Sequence, residues 1–204
     1  MATARKVDDV ELLPDPDMDQ RVFLRMDWSA FTRFLKLRGD AAGPRIIYLD
    51  GVLELMSPGR THEGNKTKLA RLVERYAEAL RIPLEGYGSW TLKDGRKKSG
   101  AEPDECYIRD TTGEEDRPDF AVEVVHTSGG LDKLEVYRRL RVREVWNYEN
   151  NVLQVFALRD GAYVEVGESS VLPELDLGLI ARCMLVERQS QAIQALLEAI
   201  AKPA

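Results

Sequence analysis

The stretch "RPDFAVEVVHTSGG", residues 117–130, decides how this chain folds, because it reads as a sheet strand with a charge inside it. Phe120, Ala121, Val122, Val124 and Val125 form the nearly continuous apolar run of a strand covered on both faces. Glu123 stands in the middle of that run. An unpaired carboxylate in a sheet interior costs several kcal/mol, so it has to be neutralised, paired or bound to a cation. Immediately downstream, "GGLDKLEVYRRLRV" supplies glycines and then a helical pattern, so a buried strand feeds a helix. That combination places the chain among α/β folds.

Further strands appear on both sides of this unit. "RIIYLDGVLELMSP", residues 45–58, is a hairpin with Asp50-Gly51 at the turn between two apolar strands. Strands are expected near 86–93 and 102–109, separated by the basic turn "KDGRKKSG", and the main strand at 119–127 follows the acidic loop "RDTTGEED". "EVWNYENNVLQVFALRDGAYVEVGE" gives three more strands, with turns at Asn150-Asn151 and Asp160-Gly161. Helices are expected over 27–40, capped by Asp27, over 62–80, where Leu69, Leu72, Val73, Tyr76 and Leu80 share a face, and over 187–201. Residues 1–20 are polar and acidic and read as a flexible segment, with a single domain over 21–204 and no repeat or linker.

Two other carboxylates bear on Glu123. Asp119 lies four residues away along the same strand, about 13 Å, too far to share one cation with it. Asp104, in "EPDECYI", lies on a different strand, and neighbouring strands are only about 4.8 Å apart, so Asp104 and Glu123 can meet around a hard cation such as Mg²⁺. Glu54, in "VLELM", repeats the oddity of Glu123 in the hairpin. Lys133 aligns with Tyr137 and Leu140 on the inward face of the next helix, where its ammonium can reach the carboxylates. Plainer roles stand beside these. Glu123 can serve a structural salt bridge, Glu54 a solvent-facing hairpin, and Lys133 an ordinary helix surface.

In these pieces the chain resembles the Uma family of bacterial restriction-endonuclease-like proteins, in the PD-(D/E)XK nuclease superfamily. The matching segments are "YLDGVLELMSP", "THEGN", "EPDECYI", "RPDFAVEVVHTS" and "DKLEVYRRLRVREVWNYE", over roughly residues 45–160. The resemblance implies a restriction-endonuclease-like α/β fold, a central mixed β-sheet flanked by helices. It implies Asp104 and Glu123 as metal ligands, Glu54 as an auxiliary acid and third ligand, Lys133 as the catalytic lysine and His62 as an accessory group at the edge of the site. The superfamily lysine normally lies two residues after the acid. That position is Val125 here, and Lys133 takes its place from the helix.

The implied activity is a Mg²⁺- or Mn²⁺-dependent phosphodiesterase, a DNA endonuclease, with a non-catalytic nucleic-acid-binding or regulatory module as the alternative. The net charge of −6 speaks against a general polyanion-binding surface but leaves room for a local basic groove. Nucleic acid is the expected partner, with a homodimer an option by analogy, since cutting both strands needs two centres. A membrane is not expected, because no apolar run reaches the roughly 20 residues of a spanning helix. The first residues lack the apolar core of a signal peptide, and a cytoplasmic location is expected. The two cysteines, Cys106 and Cys183, are expected to be reduced and buried.

Overall fold

A computed structural model describes residues 17–39, 43–126 and 129–201. In chain order the elements are β1 (Gln20–Arg25), α1 (Trp28–Arg38), β2 (Arg45–Leu49), β3 (Val52–Ser57), α2 (Arg60–Leu80), β4 (Leu84–Gly86), β5 (Leu92–Asp94) and β6 (Ser99–Ala101). They continue with β7 (Glu105–Arg109), β8 (Phe120–Val125), α3 (Lys133–Leu140), β9 (Glu144–Glu149), β10 (Val152–Arg159), β11 (Ala162–Val166), α4 (Leu177–Met184) and α5 (Gln189–Ala201).

Two sheets are present where one was expected. The first has the order β1-β3-β2-β6-β5 and is antiparallel throughout. The second, β11-β10-β9-β8-β7-β4, is mixed, with β8 and β9 its parallel pair. The strands expected at 86–93 and 102–109 are in fact four short ones. β5 and β6 flank the basic turn in the first sheet, and β4 pairs with β7 in the second. The chain crosses between sheets at Glu102-Pro103-Asp104. Glu102 still donates its N–H to Ile46 O in the first sheet (2.9 Å), Pro103 has no N–H to continue a ladder, and Glu105 opens β7 in the second. Asp104 therefore sits on the seam.

Local chemistry explains the elements that hold this seam. Asp50 and Gly51 both have positive φ (45° and 92°), as a two-residue turn between right-twisted strands requires. Asp27 caps α1 by accepting from Ala30 N (2.7 Å). β8 is buried on both faces, and its alternation decides what each face meets. Phe120, Val122 and Val124 pack with Leu69, Leu72 and Tyr76 of α2 and with Trp146, and α4 and α5 close the same core. Ala121 packs on the other side with Val136, Tyr137 and Leu140 of α3. Glu123 shares that second face, so it points towards α3.

Some expectations need correction. Residues 1–16 of the segment expected to be flexible lie outside the described residues, but Asp19 is buried and Gln20 begins β1, so the domain starts earlier than residue 21. Part of the "HTSGG" loop, residues 127 and 128, also lies outside them. α4 has no counterpart among the expected elements. Among the described residues, no helix is long and apolar enough to cross a membrane.

Both cysteines are free and buried. Burial pushes the Cys106 thiol up to about 12 and raises that of Cys183. Since the thiolate is the reactive form, neither is expected to react with Ellman's reagent at pH 8 until denaturant is added, when both react. Fast labelling of either thiol in the folded protein would contradict this burial.

Candidate active site

Glu123 is 2% exposed, and both its oxygens are engaged from α3. Lys133 Nζ donates to Oε2 (2.5 Å) and the Tyr137 hydroxyl donates to Oε1. These donors are four residues apart on one helix face. Asp132 fixes where that helix begins, its carboxylate accepting from Glu135 N at 3.0 Å. Lys133 is thereby its first residue, set over the carboxylate.

Asp104 arrives from the seam. β7 and β8 pair with Glu105 opposite Val122 and Cys106 opposite Ala121, so the next step of the register sets Asp104 against Glu123. Asp104 Oδ2 accepts the N–H of Val124, the residue beside Glu123, at 2.9 Å. Arg45 Nε approaches Oδ1 at 3.4 Å. His62 Nε2 lies 3.1 Å from Oδ2, within ion-pair range but out of line for a hydrogen bond. Its Nδ1 is 3.3 Å from Asp19 Oδ2, and Asp19 Oδ1 accepts from Gly59 N (2.9 Å) at the start of α2. His62, placed by the resemblance at the edge of the site, is fully buried between two carboxylates.

Glu54 comes from the first sheet and is 1% exposed. Arg21 Nε donates to Oε1 (3.0 Å) and Leu131 N to Oε2 (2.7 Å). Glu54 thus ties β1 to the loop that leads into α3. Among the described residues, no three His, Cys, Asp or Glu side chains converge to cage a metal ion unaided. The three-carboxylate ligand set with Glu54 as third member is therefore not assembled, and Glu54 is committed to its own partners. Asp119 is structural, accepting from Arg109 N and from Arg143, each at 2.9 Å.

The two facing carboxylates differ electrostatically. Burial pushes Asp104 up, yet His62, Lys133 and the Val124 N–H together outweigh it and hold the carboxyl far below the usual range. For Glu123 burial prevails over Lys133 and Tyr137, and the Asp104 charge adds to the upward shift. Burial pulls Lys133 down, but Glu123, Asp104 and Glu54 more than reverse it. Burial likewise opposes a charged His62, and Asp104 and Asp19 raise it.

A cleft of about 280 Å³ opens beside this cluster, reaching Glu123, Lys133 and Arg21. Mg²⁺ keeps several waters and needs only one or two protein carboxylates when a phosphate supplies further oxygens. Two hard oxygen donors at one place on the sheet, with the cleft reaching Glu123 of the pair, fit that requirement. Asp19, Arg21, Arg45 and the Tyr137 hydroxyl were not anticipated as members. Tyr137 was visible as a neighbour of Lys133 by spacing, and an arginine on each strand flanking β3 was a weak signal. Asp19 gave none.

A family model described as "Putative restriction endonuclease", Uma2, matches residues 31–182. Among solved structures, a protein described as a "putative nuclease belonging to DUF820", from Anabaena variabilis, superposes with a TM-score of 0.52 at 12% identity. The match covers 79% of this chain and 96% of that one. At that identity the likeness speaks to the fold, which is the restriction-endonuclease-like α/β arrangement, with its strands divided between two sheets. No curated protein matches the chain.

Proposed function

The chain belongs to the Uma2 family, and from that premise we propose that it is a divalent-metal-dependent phosphodiesterase of the PD-(D/E)XK type, cutting DNA. The observation that carries this reading is the placement of Asp104 against Glu123 across β7 and β8, with Lys133 Nζ 2.5 Å from Glu123 Oε2 beside an open cleft. Asp104 and Glu123 would hold Mg²⁺ or Mn²⁺. The bound cation would supply Lewis-acid polarisation of the scissile phosphate and an activated water.

The remaining roles belong to the protein. Lys133, at the mouth of the cleft, stabilises charge developing on the phosphate oxygens, where a fixed cation in a dry site acts most strongly. Tyr137 and Lys133 orient the Glu123 carboxylate. Arg45 and the Val124 N–H orient Asp104. Glu54 is a positioning residue, holding Arg21 and the loop before Lys133.

The test is incubation of purified protein with supercoiled and single-stranded DNA in Mg²⁺, Mn²⁺ or EDTA. Nicking in either metal that falls at least about 100-fold in EDTA is the expected result, since the centre has no other source of an activated water. Absence of nicking by folded protein in both metals overturns the reading. The rival, a non-catalytic nucleic-acid-binding module, draws on one observation: Lys133 and Tyr137 already satisfy both oxygens of Glu123. DNA binding without turnover would favour it.

A further inference from the structure

Away from the acid centre, the turn between β5 and β6 and the C-terminal end of α3 form a basic trough. Two adjoining hollows, of about 680 and 410 Å³, share Arg96, Lys97 and Arg139. Their walls carry eight cationic side chains against the carboxylates of Asp50, Asp94 and Asp116. Those carboxylates are already in use. Asp50 takes both terminal nitrogens of Arg139 (2.6 and 2.7 Å), Asp116 takes Arg117 (2.7 Å) and Asp94 caps the turn through Arg96 N. Arg138 is held by Glu135, at 2.6 Å. Lys93, Arg96, Lys98 and Arg141 are exposed and have no carboxylate within ion-pair distance among the described residues. In a chain of net charge −6, four uncompensated cations on one concave surface are a local reversal of sign.

We infer that this trough binds the phosphate backbone of nucleic acid alongside the acid centre. The choice of partner rests on the nuclease reading. The position is what favours it. α3 spans both sites: its first residue, Lys133, lies on Glu123, and its last turn carries Arg138 and Arg139 into the trough. Eight helical residues rise about 12 Å. β3 and the turn before it run the same course, with Asp50 against Arg139 at one end and Glu54 against Leu131 N at the other. A strand of duplex advances 3.4 Å per nucleotide along its axis, so about 12 Å corresponds to three or four nucleotides. A strand held at its phosphates in the trough would extend from there to the cleft at Glu123. An acidic protein segment would also be attracted to the charge, but nothing about it would call for continuity with the acid centre.

The experiment measures binding alone, in EDTA, by fluorescence anisotropy of a labelled 20-base-pair duplex across a salt series. The fourfold variant Lys93→Gln, Arg96→Gln, Lys98→Asn and Arg141→Asn removes the unpaired charges. Asparagine is chosen where the backbone is left-handed (φ 47° and 60°). These side chains are exposed, so the melting temperature is expected to hold and to certify folding. Each phosphate contact contributes about 0.9 to the slope of log affinity against log salt, so loss of four is expected to shallow the slope by about 3.6 and to lower affinity at 0.1 M salt on the order of 1000-fold. An unchanged slope and affinity in the folded variant overturns the inference, as does displacement of the duplex by polyglutamate at lower charge concentration than by unlabelled DNA. Because no turnover is measured, a protein that binds through these residues yet never cleaves would sustain the trough and overturn the nuclease reading instead.

Discussion

Glu123→Gln is expected to lower metal-dependent DNA cleavage at least about 1000-fold while leaving the protein folded at 25 °C. A loss of that size corresponds to about 4 kcal/mol of transition-state stabilisation. The amide keeps the volume of the carboxylate and an oxygen to accept from the Tyr137 hydroxyl. It removes the negative charge that a dication needs, and turns a donor towards Lys133 in place of an acceptor. Lys133 is 16% exposed at its side chain, so its ammonium can draw on water once unpaired. The stability cost should stay near 1–2 kcal/mol rather than the roughly 3–5 kcal/mol of stranding a fully buried charge. Mn²⁺ affinity, followed by water-proton relaxation, separates binding from turnover. It should be measurable in the natural protein and lost in the variant. Cleavage within tenfold of the natural protein would remove Glu123 from the chemistry and leave it as a structural partner of Lys133 and Tyr137.

How far the sequence could carry that assignment depends on how local each signal was. The Asp50-Gly51 hairpin, the cap at Asp27 and the helix carrying Lys133 were legible because their determinants lie within a few residues. Glu123 could be paired with Asp104 from strand spacing alone, provided the two strands were neighbours, and β7 and β8 are. The division into two sheets was not legible. It turns on a three-residue crossing at Pro103, whose neighbours on either side both have strand character. The resemblance, together with its place in an apolar strand, makes Glu54 an auxiliary acid and third ligand. Its partners are Arg21 and Leu131 N, 33 and 77 residues away. Asp19 fell within a segment that composition marks as flexible, yet it is buried against His62 and Gly59 N. Long-range pairing of charges is what a single sequence conceals.

Glu144 shows why a buried carboxylate is not by itself a catalytic one, and its removal should cost stability instead of activity. It opens β9, opposite Phe120 of β8, three residues and so about 10 Å from the level of Glu123. Its side chain is fully buried in the apolar sequence "EVWNY", with the same outward signal as Glu123. No cation reaches it among the described residues. Oε1 accepts from Ser170 N and Oγ (each 2.6 Å) and from Val171 N (3.2 Å). Oε2 accepts from Ser169 Oγ (2.7 Å) and Trp146 Nε1 (3.1 Å). The carboxylate thus pins the loop before α4 to the second sheet, and of its donors Val171 N also reaches Ser169 Oγ (3.2 Å). Glu144→Ala leaves the buried indole N–H and the Ser170 N–H without a protein acceptor, while Val171 N–H keeps Ser169 Oγ. The cost is about 1–3 kcal/mol for the indole and less for Ser170, which water can reach. A net loss of about 2–4 kcal/mol is expected, which at roughly 2–4 °C per kcal/mol for a chain of this size lowers the melting temperature by about 4–16 °C. Cleavage at 25 °C by the fraction that remains folded should stay within about twofold, since none of these groups borders the cleft at Lys133. A melting temperature unchanged in Glu144→Ala would mean that the loop is held by its apolar contacts at Val171 and Leu172. A 1000-fold loss of cleavage with the fold intact would place Glu144, and not only Glu123, in the chemistry of the sheet.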